Sequence, residues 1–285
     1  MVGTSSNKII VEQRMKKSPL YIIKAGGHLI DDEKQLQLLL ENFTQLPQAT
    51  EDGLPIRKIL IHGGGKLATR LAEQLGITQE LVEGRRITDA ETLKIVTMVY
   101  AGYINKNVVA TLQSLGCNAI GICGADGNLI EAHKRVHPNI DYGWVGDVDK
   151  VNSQLLETLL QGSLVPVIAP LTHDQQGHLL NTNADTIAQT IAVSLSNLYE
   201  VKLIYTFEKE GVLLDINNAD SVIPSINAKE FQELRSTQRI VAGMIPKLEN
   251  AFAALEQGVT TVTIGKAEKL AKLLEGKAGT TLTHA

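Results

Sequence analysis

The feature that most constrains this chain is a repeated grammar of apolar run, glycine-rich stop and helical stripe. Leu20–Ile23 ends at Lys24-Ala25-Gly26-Gly27, and Leu36–Phe43 then carries helical spacing. Lys58–Ile61 ends at His62-Gly63-Gly64-Gly65, after which Leu67, Leu71 and Leu75 mark a helical stripe. Short apolar runs bounded by turn residues read as buried strands, and i, i+4 recurrence reads as a helix face. The alternation continues with strands at Ala119–Cys123, Leu164–Ala169, Val201–Thr206 and Val259–Ile264. Helices are expected at Leu155–Gln161, Asn183–Leu195 and Lys247–Glu256, with Ile187, Ile191 and Leu195 on one face. Ala90–Leu115 reads as a long helix broken near Gly102, and Val82–Thr88 as extended with a bend at Gly84. Asn128–Val148 suits a β-hairpin, and Asp174–Gly177 a turn. This order calls for an α/β sandwich with a largely parallel central sheet.

The 285 residues suffice for one large domain or two modest lobes around a shared sheet. A net charge of −4 gives no reason to expect a nucleic acid or an anionic membrane as partner. Any anion site must be a local basic focus. The two cysteines, Cys117 and Cys123, offer neither metal-type spacing nor a disulfide framework, so a cytoplasmic protein without a metal centre of its own is expected. No apolar run reaches the roughly 20 residues of a membrane span. Residues 1–19 carry Lys8, Arg14, Lys16 and Lys17 without a signal-type apolar core, and read as a tail or short helix.

Both glycine stops follow strands and precede helices, where backbone N–H groups favour anions. A tight turn is the plain alternative for either alone; the pair is read as a ligand site. Gly65-Lys66 lacks P-loop spacing, and Leu67 stands where Ser or Thr is required. His-Gly-Gly-Gly also occurs at lipase oxyanion holes, but the chain has no Gly-x-Ser-x-Gly elbow. Gly121, Gly124 and Gly127 do not match the dinucleotide fingerprint, and either line the site or serve as turns.

The chain resembles the amino acid kinase family, and within it the branch acting on N-acetylated glutamate. The motifs that carry this are Ile23-Lys24-Ala25-Gly26-Gly27, His62–Gly65, Gly84-Arg85-Arg86-Ile87-Thr88, Ala101-Gly102 with Asn105-Lys106, Gly143-Trp144-Val145-Gly146, Asn181-Thr182-Asn183-Ala184-Asp185 and Gly243-Met244-Ile245-Pro246-Lys247. The resemblance implies a three-layer α/β/α fold with two lobes. Residues 20–177 would bind the N-acyl-L-glutamate and dimerise, and residues 178–285 would bind ATP. The implied reaction converts N-acetyl-L-glutamate and ATP to the γ-acyl phosphate and ADP, a step of arginine biosynthesis, with Mg²⁺ accompanying the nucleotide. The implied assembly is a homodimer, with a higher oligomer as the alternative.

A γ-carboxylate, with a pKa of about 4.3, is already an anion near neutral pH and needs no general base. Catalysis is then alignment and charge stabilisation. By motif match, Lys24 and Lys247 are expected to contact the transferring phosphoryl group from opposite sides, with Asp185 holding both. Gly64, Gly65, Arg86 and Asn181 match acceptor-binding positions; a planar fork suits Arg86 to a carboxylate. Gly26, Gly27, Thr206 and Gly211 fall at the expected nucleotide side. Two positions depart from the family pattern: Phe207 follows Thr206 where an aspartate is common, and Trp144 stands where a polar residue is common. The first leaves nucleotide contacts open, and the second leaves an N-succinyl acceptor as an alternative to N-acetyl. Another carboxylate or carbamate kinase is the rival enzyme. A non-catalytic amino-acid sensor is the rival class, and Lys24, Asp185 and Lys247 argue against it.

Overall fold

Eight strands, numbered here in chain order, make the main sheet. Across it they run β12 (Ser225–Asn227), β14 (Thr280–Thr283), β13 (Thr261–Lys266), β11 (Glu200–Phe207), β1 (Pro19–Ala25), β2 (Arg57–His62), β8 (Val165–Ile168) and β5 (Ala119–Ile122). Only β13 and β14 pair antiparallel; the other neighbours are parallel, as the alternation requires. The structure is a computed structural model that describes residues 16–82, 85–215, 218, 221–237, 239–240 and 244–283. Most of the expected N-terminal tail, together with Gly84 and Gly243, lies outside the described residues.

Parallel sheets are stable when both faces are covered. Strand β1 shows that arrangement by its alternation. Leu20 and Ile22 enter one core with Ile187, Ile191 and Leu195 of α7 (Ala184–Leu195). Tyr21, Ile23 and Ala25 enter the other with Leu39, Leu40 and Phe43 of α2 (Glu33–Gln45). Full burial of each such aliphatic side chain contributes roughly 1.5–3 kcal/mol. The result is helix, sheet and helix in three layers.

A second sheet has the order β10 (Leu179–Asn181), β9 (Leu171–His173), β6 (Ile130–Lys134) and β7 (Gly146–Val151). Strands β6 and β7 form the antiparallel hairpin expected over 128–148. Strands β9 and β10 flank the turn at 174–177. Two short strands, β3 (Leu81–Val82) and β4 (Arg85–Arg86), pair antiparallel. Asn181 closes β10 as its last strand residue.

Two helical expectations need correction. Helix α3 (Gly65–Gln74) buries Ala68 and Ala72, while Leu67 and Leu71 flank the contact and Leu75 is 57% exposed. The leucine stripe sits one position off the packing face, where alanines let the helix lie close. The helix from Ala90 does not break near Gly102. It runs through α4 (Ala90–Thr97), a π-helical stretch at Met98–Ile104 and α5 (Asn105–Ser114). Gly102 is exposed on this helix with open space where a side chain would stand.

Candidate active site

The carboxyl ends of β1, β2 and β11 lie side by side, since Ala25 pairs with both His62 and Thr206. That register brings the two glycine stops together at one sheet edge. Helix α1 (Gly27–Ile30) starts at the first stop and α3 at the second. A side chain on Gly63 would meet Gly27 at 3.3 Å, and one on Gly27 would stand 3.8 and 3.9 Å from the Gly64 and Gly65 nitrogens. Gly64 is tighter still: its Cβ would lie 2.4 Å from Ile104 Cδ1.

By strand alternation Lys24 falls on the same face as Leu20 and Ile22, which is the face of α7. Its Nζ meets Asp185 Oδ1 at 2.7 Å. The other oxygen, Oδ2, accepts from Lys247 Nζ at 3.0 Å. Asp185 sits in the first turn of α7, behind the cap Asn183, whose side chain accepts from the Asp185 and Thr186 amides. A carboxylate suits that end of a helix dipole. Lys247 occupies the first turn of α9 (Ile245–Glu256), the unfavourable end for a cation, and Asp185 offsets that charge. Burial would raise the Asp185 pKa, but the Lys24 and Lys247 ammonium groups outweigh it and hold the carboxyl at about 2. The Tyr205 hydroxyl donates to the Asp185 carbonyl at 3.3 Å, and burial keeps that phenol well above its ordinary pKa.

Arg86 reaches the second glycine loop from β4. Its Nη2 donates to the Gly65 carbonyl at 2.9 Å and to Thr69 Oγ1 at 2.8 Å, and its Nη1 to Gln79 Oε1. Asn181 Nδ2 donates to Thr88 Oγ1 at 3.0 Å, and its backbone N–H to the Trp144 carbonyl at 2.8 Å. The Trp144 ring packs on His178 at 4.8 Å, with Lys134 Nζ 5.7 Å from its centre. Thr69, Gln79 and Tyr205 were not singled out from sequence; each depends on a contact between distant segments, and no spacing announces it.

The residues expected at the nucleotide side divide. Gly27 faces the Gly64–Gly65 amides as described. Gly26 donates its N–H to the Thr206 carbonyl at 3.0 Å, and a Cβ there would come within 2.8 Å of that oxygen. Thr206 is buried and its hydroxyl donates to the Lys24 carbonyl at 3.1 Å, so both residues lock β1 to β11. Gly211 is buried, and a Cβ there would fall 2.7 Å from Thr280 Oγ1. Gly121 fits closely under Asn105, and Gly124 against the Leu171 carbonyl, both as packing glycines. Behind the second loop His62 is fully buried between the Gly63 carbonyl, 2.8 Å from Nδ1, and Asn105 Nδ2, 3.2 Å from Nε2. Burial lowers its pKa to about 4, so the ring is neutral and donates from Nδ1.

Two lysines are held on one carboxylate beside paired glycine loops at one sheet edge. The sequence profile of the amino acid kinase family matches residues 19–266. The chain belongs to the amino acid kinase family. Among relatives of this amino acid kinase are the acetylglutamate kinase of Phocaeicola vulgatus, 54% identical over 87% of this chain and 93% of that one, and that of Cytophaga hutchinsonii, 54% identical over 90% and 94%. Among solved structures, N-acetylglutamate synthase from Neisseria gonorrhoeae, complexed with coenzyme A and N-acetyl-glutamate, superposes with a TM-score of 0.77 at 26% identity. That match covers 94% of this chain and 60% of the synthase.

Proposed function

We propose that this amino acid kinase transfers the γ-phosphoryl group of ATP to the γ-carboxylate of N-acetyl-L-glutamate, giving N-acetyl-γ-glutamyl phosphate and ADP in arginine biosynthesis. The observation that carries the reading is the bridge of Lys24 and Lys247 by Asp185. The relatives named acetylglutamate kinase support the choice of acceptor.

The chemistry follows from charge. The acceptor carboxylate and the γ-phosphate are both anions, so their approach is the barrier. Lys24 offsets charge on the transferring group and Lys247 on the group that leaves with ADP. Asp185 keeps the two ammonium groups at fixed positions before the anions arrive, so no reorganisation is needed at the moment of transfer. Gly64 and Gly65 present backbone N–H groups to the acceptor, Arg86 takes a carboxylate, and Asn181 orients the acyl amide. Gly26 and Gly27 support the phosphate side from the turn after β1, and Thr206 and Gly211 shape the nucleotide side through the backbone.

Both Asp185 oxygens are engaged by lysines, and no group of three His, Cys, Asp or Glu among the described residues is placed to hold a metal ion. Mg²⁺ would therefore ride on the ATP phosphates and supply further neutralisation of their charge. We assign acceptor binding and dimer contacts to residues 20–177 and nucleotide binding to 178–285. No helix among the described residues is long and apolar enough to cross a membrane. Two free cysteines support a cytoplasmic setting, and the exposed Leu75, Leu81, Met98 and Tyr103 support a homodimer.

The test is ADP release with trapping of the acyl phosphate by hydroxylamine, run with N-acetyl-L-glutamate, N-succinyl-L-glutamate, free glutamate and carbamate. ADP formation that depends on N-acetyl-L-glutamate, with trapped hydroxamate, is the expected result. ADP formation only with another acceptor would move the activity, and acceptor binding without ADP would make the protein a sensor.

A further inference from the structure

The helix that widens at Met98–Ile104 narrows again at Asn105, whose backbone N–H reaches five residues back to the Tyr100 carbonyl. One extra residue in a turn rotates everything that follows by about 100°. Asn105 stands on the buried face of α5 with Val108 and Leu112 and is 1% exposed. A polar side chain so deeply buried needs partners. Its Nδ2 donates to the Val167 carbonyl at 2.9 Å and faces His62 Nε2 at 3.2 Å, while its Oδ1 accepts from Lys106 Nζ at 3.2 Å. Lys106 Nζ also donates to the Gly121 carbonyl at 2.8 Å, and a Cβ on Gly121 would collide with Asn105 Oδ1. One amide therefore ties together β2, β8 and β5.

These partners leave the His62 ring no freedom. A carbonyl only accepts and an ammonium only donates, so the Asn105 amide turns its NH2 to Val167 and its oxygen to Lys106. The second amide hydrogen meets His62 Nε2, which must accept it, and the ring's proton sits on Nδ1. Nδ1 lies 2.8 Å from the Gly63 carbonyl, which a donor alone satisfies. A trans peptide points its C=O and its N–H in opposite directions. With the Gly63 carbonyl turned to the buried ring, the Gly64 N–H of the same peptide is turned away from it. That N–H has no backbone acceptor among the described residues. We propose that Asn105 is a positioning residue for the acceptor loop, acting through His62: it fixes the ring that pins the Gly63 carbonyl, and so aims the Gly64 N–H at the acceptor carboxylate. The proposal rests on the acceptor reading of Gly64 given above.

The experiment combines nitrogen NMR of the imidazole rings near neutral pH with steady-state kinetics on Asn105→Leu, His62→Leu and His62→Asn. Melting temperatures are recorded on the same preparations. In the parent, His62 is expected as a neutral ring with its proton on Nδ1; a proton on Nε2, or on both nitrogens, overturns the proposal without any variant. Asn105→Leu is expected to abolish the single tautomer. It should also raise the KM for N-acetyl-L-glutamate up to roughly tenfold, the effect of one hydrogen bond, with the KM for ATP within about twofold. His62→Leu is expected to shift the acceptor KM likewise. His62→Asn, whose amide nitrogen can stand in for Nδ1, should return it close to the parent value. An unchanged acceptor KM in both leucine variants, in a parent whose ADP release depends on N-acetyl-L-glutamate, overturns this proposal alone. Parent ADP release that does not depend on that acceptor overturns the acceptor reading and the proposal together. Equal loss of affinity for both substrates, with a lowered melting temperature and no rescue by His62→Asn, marks a merely structural network and also overturns it. Should the leucine variants not fold, a tenfold rise of the acceptor KM in His62→Asn has the same force.

Discussion

Asp185 Oδ2 lies 3.0 Å from Lys247 Nζ, joining the first turns of two helices across the site. With Lys24 on the other oxygen at 2.7 Å, one carboxylate sets the spacing of both ammonium groups. Replacing Lys24 or Lys247 by alanine is expected to depress kcat by about 10²–10³-fold, the range found when a preorganised electrostatic donor is lost. Circular dichroism should show a retained fold. Near-normal turnover in either variant would remove that residue from the phosphoryl site.

The same triad makes stability depend on acid. The Asp185 carboxyl lies at about 2 when folded against an ordinary value of 3.8. A lowered folded pKa stabilises the protein above the unfolded value, and that contribution fades as pH falls through the folded one. Denaturant titrations should therefore lose on the order of 2 kcal/mol between pH 3.8 and about 2. Asp185→Asn is expected to abolish this dependence, lower stability near neutral pH and reduce kcat. An unchanged acid profile in the variant would assign the loss to other groups.

His62 predicts a second, higher window. Its folded pKa is lowered from 6.5 to about 4 because the ring is completely buried. The unfolded chain takes up the proton first, so stability should fall as pH drops from 6.5 toward 4, by up to about 3 kcal/mol. His62→Gln should flatten the melting-temperature profile in that window and keep the acid limb of Asp185. A profile as steep as that of the parent would refute the assignment.

Gly64 admits no side chain without movement of Ile104. Gly64→Ala is expected to destabilise the protein by about 1–3 kcal/mol, the usual penalty of overpacking, and to reduce turnover. Ile104→Val in the same chain should restore part of the stability. A double variant no more stable than Gly64→Ala would show that the strain lies in the backbone.

Periodicity made β1, β2, β5, β8, β11 and β13 legible because they are continuous apolar runs, whereas β12 and β14, short and built largely of Ser, Asn and Thr, went unread. It also exposed α7, whose Ile187, Ile191 and Leu195 are all fully buried. It misjudged α3, since leucines outrank alanines in any hydrophobic stripe, yet Ala68 and Ala72 make the close contact. Gly102 suggested a break that the helix absorbs by widening. Helix α8 (Ala228–Ser236) went unread because it buries little beyond Phe231, although its Asn227–Glu230 capping box marked the start. Lys24, Asp185 and Lys247 were legible as motifs, and the structure brings them together. Thr206 was legible as a strand end, but that its hydroxyl faces the Lys24 carbonyl depends on the β1–β11 register.

Lys24 belongs to a strand hydrogen-bonded on both sides, by β11 and by β2, and is 8% exposed. The Lys247 side chain is 41% exposed and stands on a helix start. The two differ as an anvil differs from a hammer. Shifting Lys24 would tear two ladders at the centre of the sheet, whereas moving Lys247 requires only rotation of one partly wetted side chain. Under the proposed function, traffic of nucleotide should be felt at Lys247 first, with Asp185 keeping its grip on Lys24.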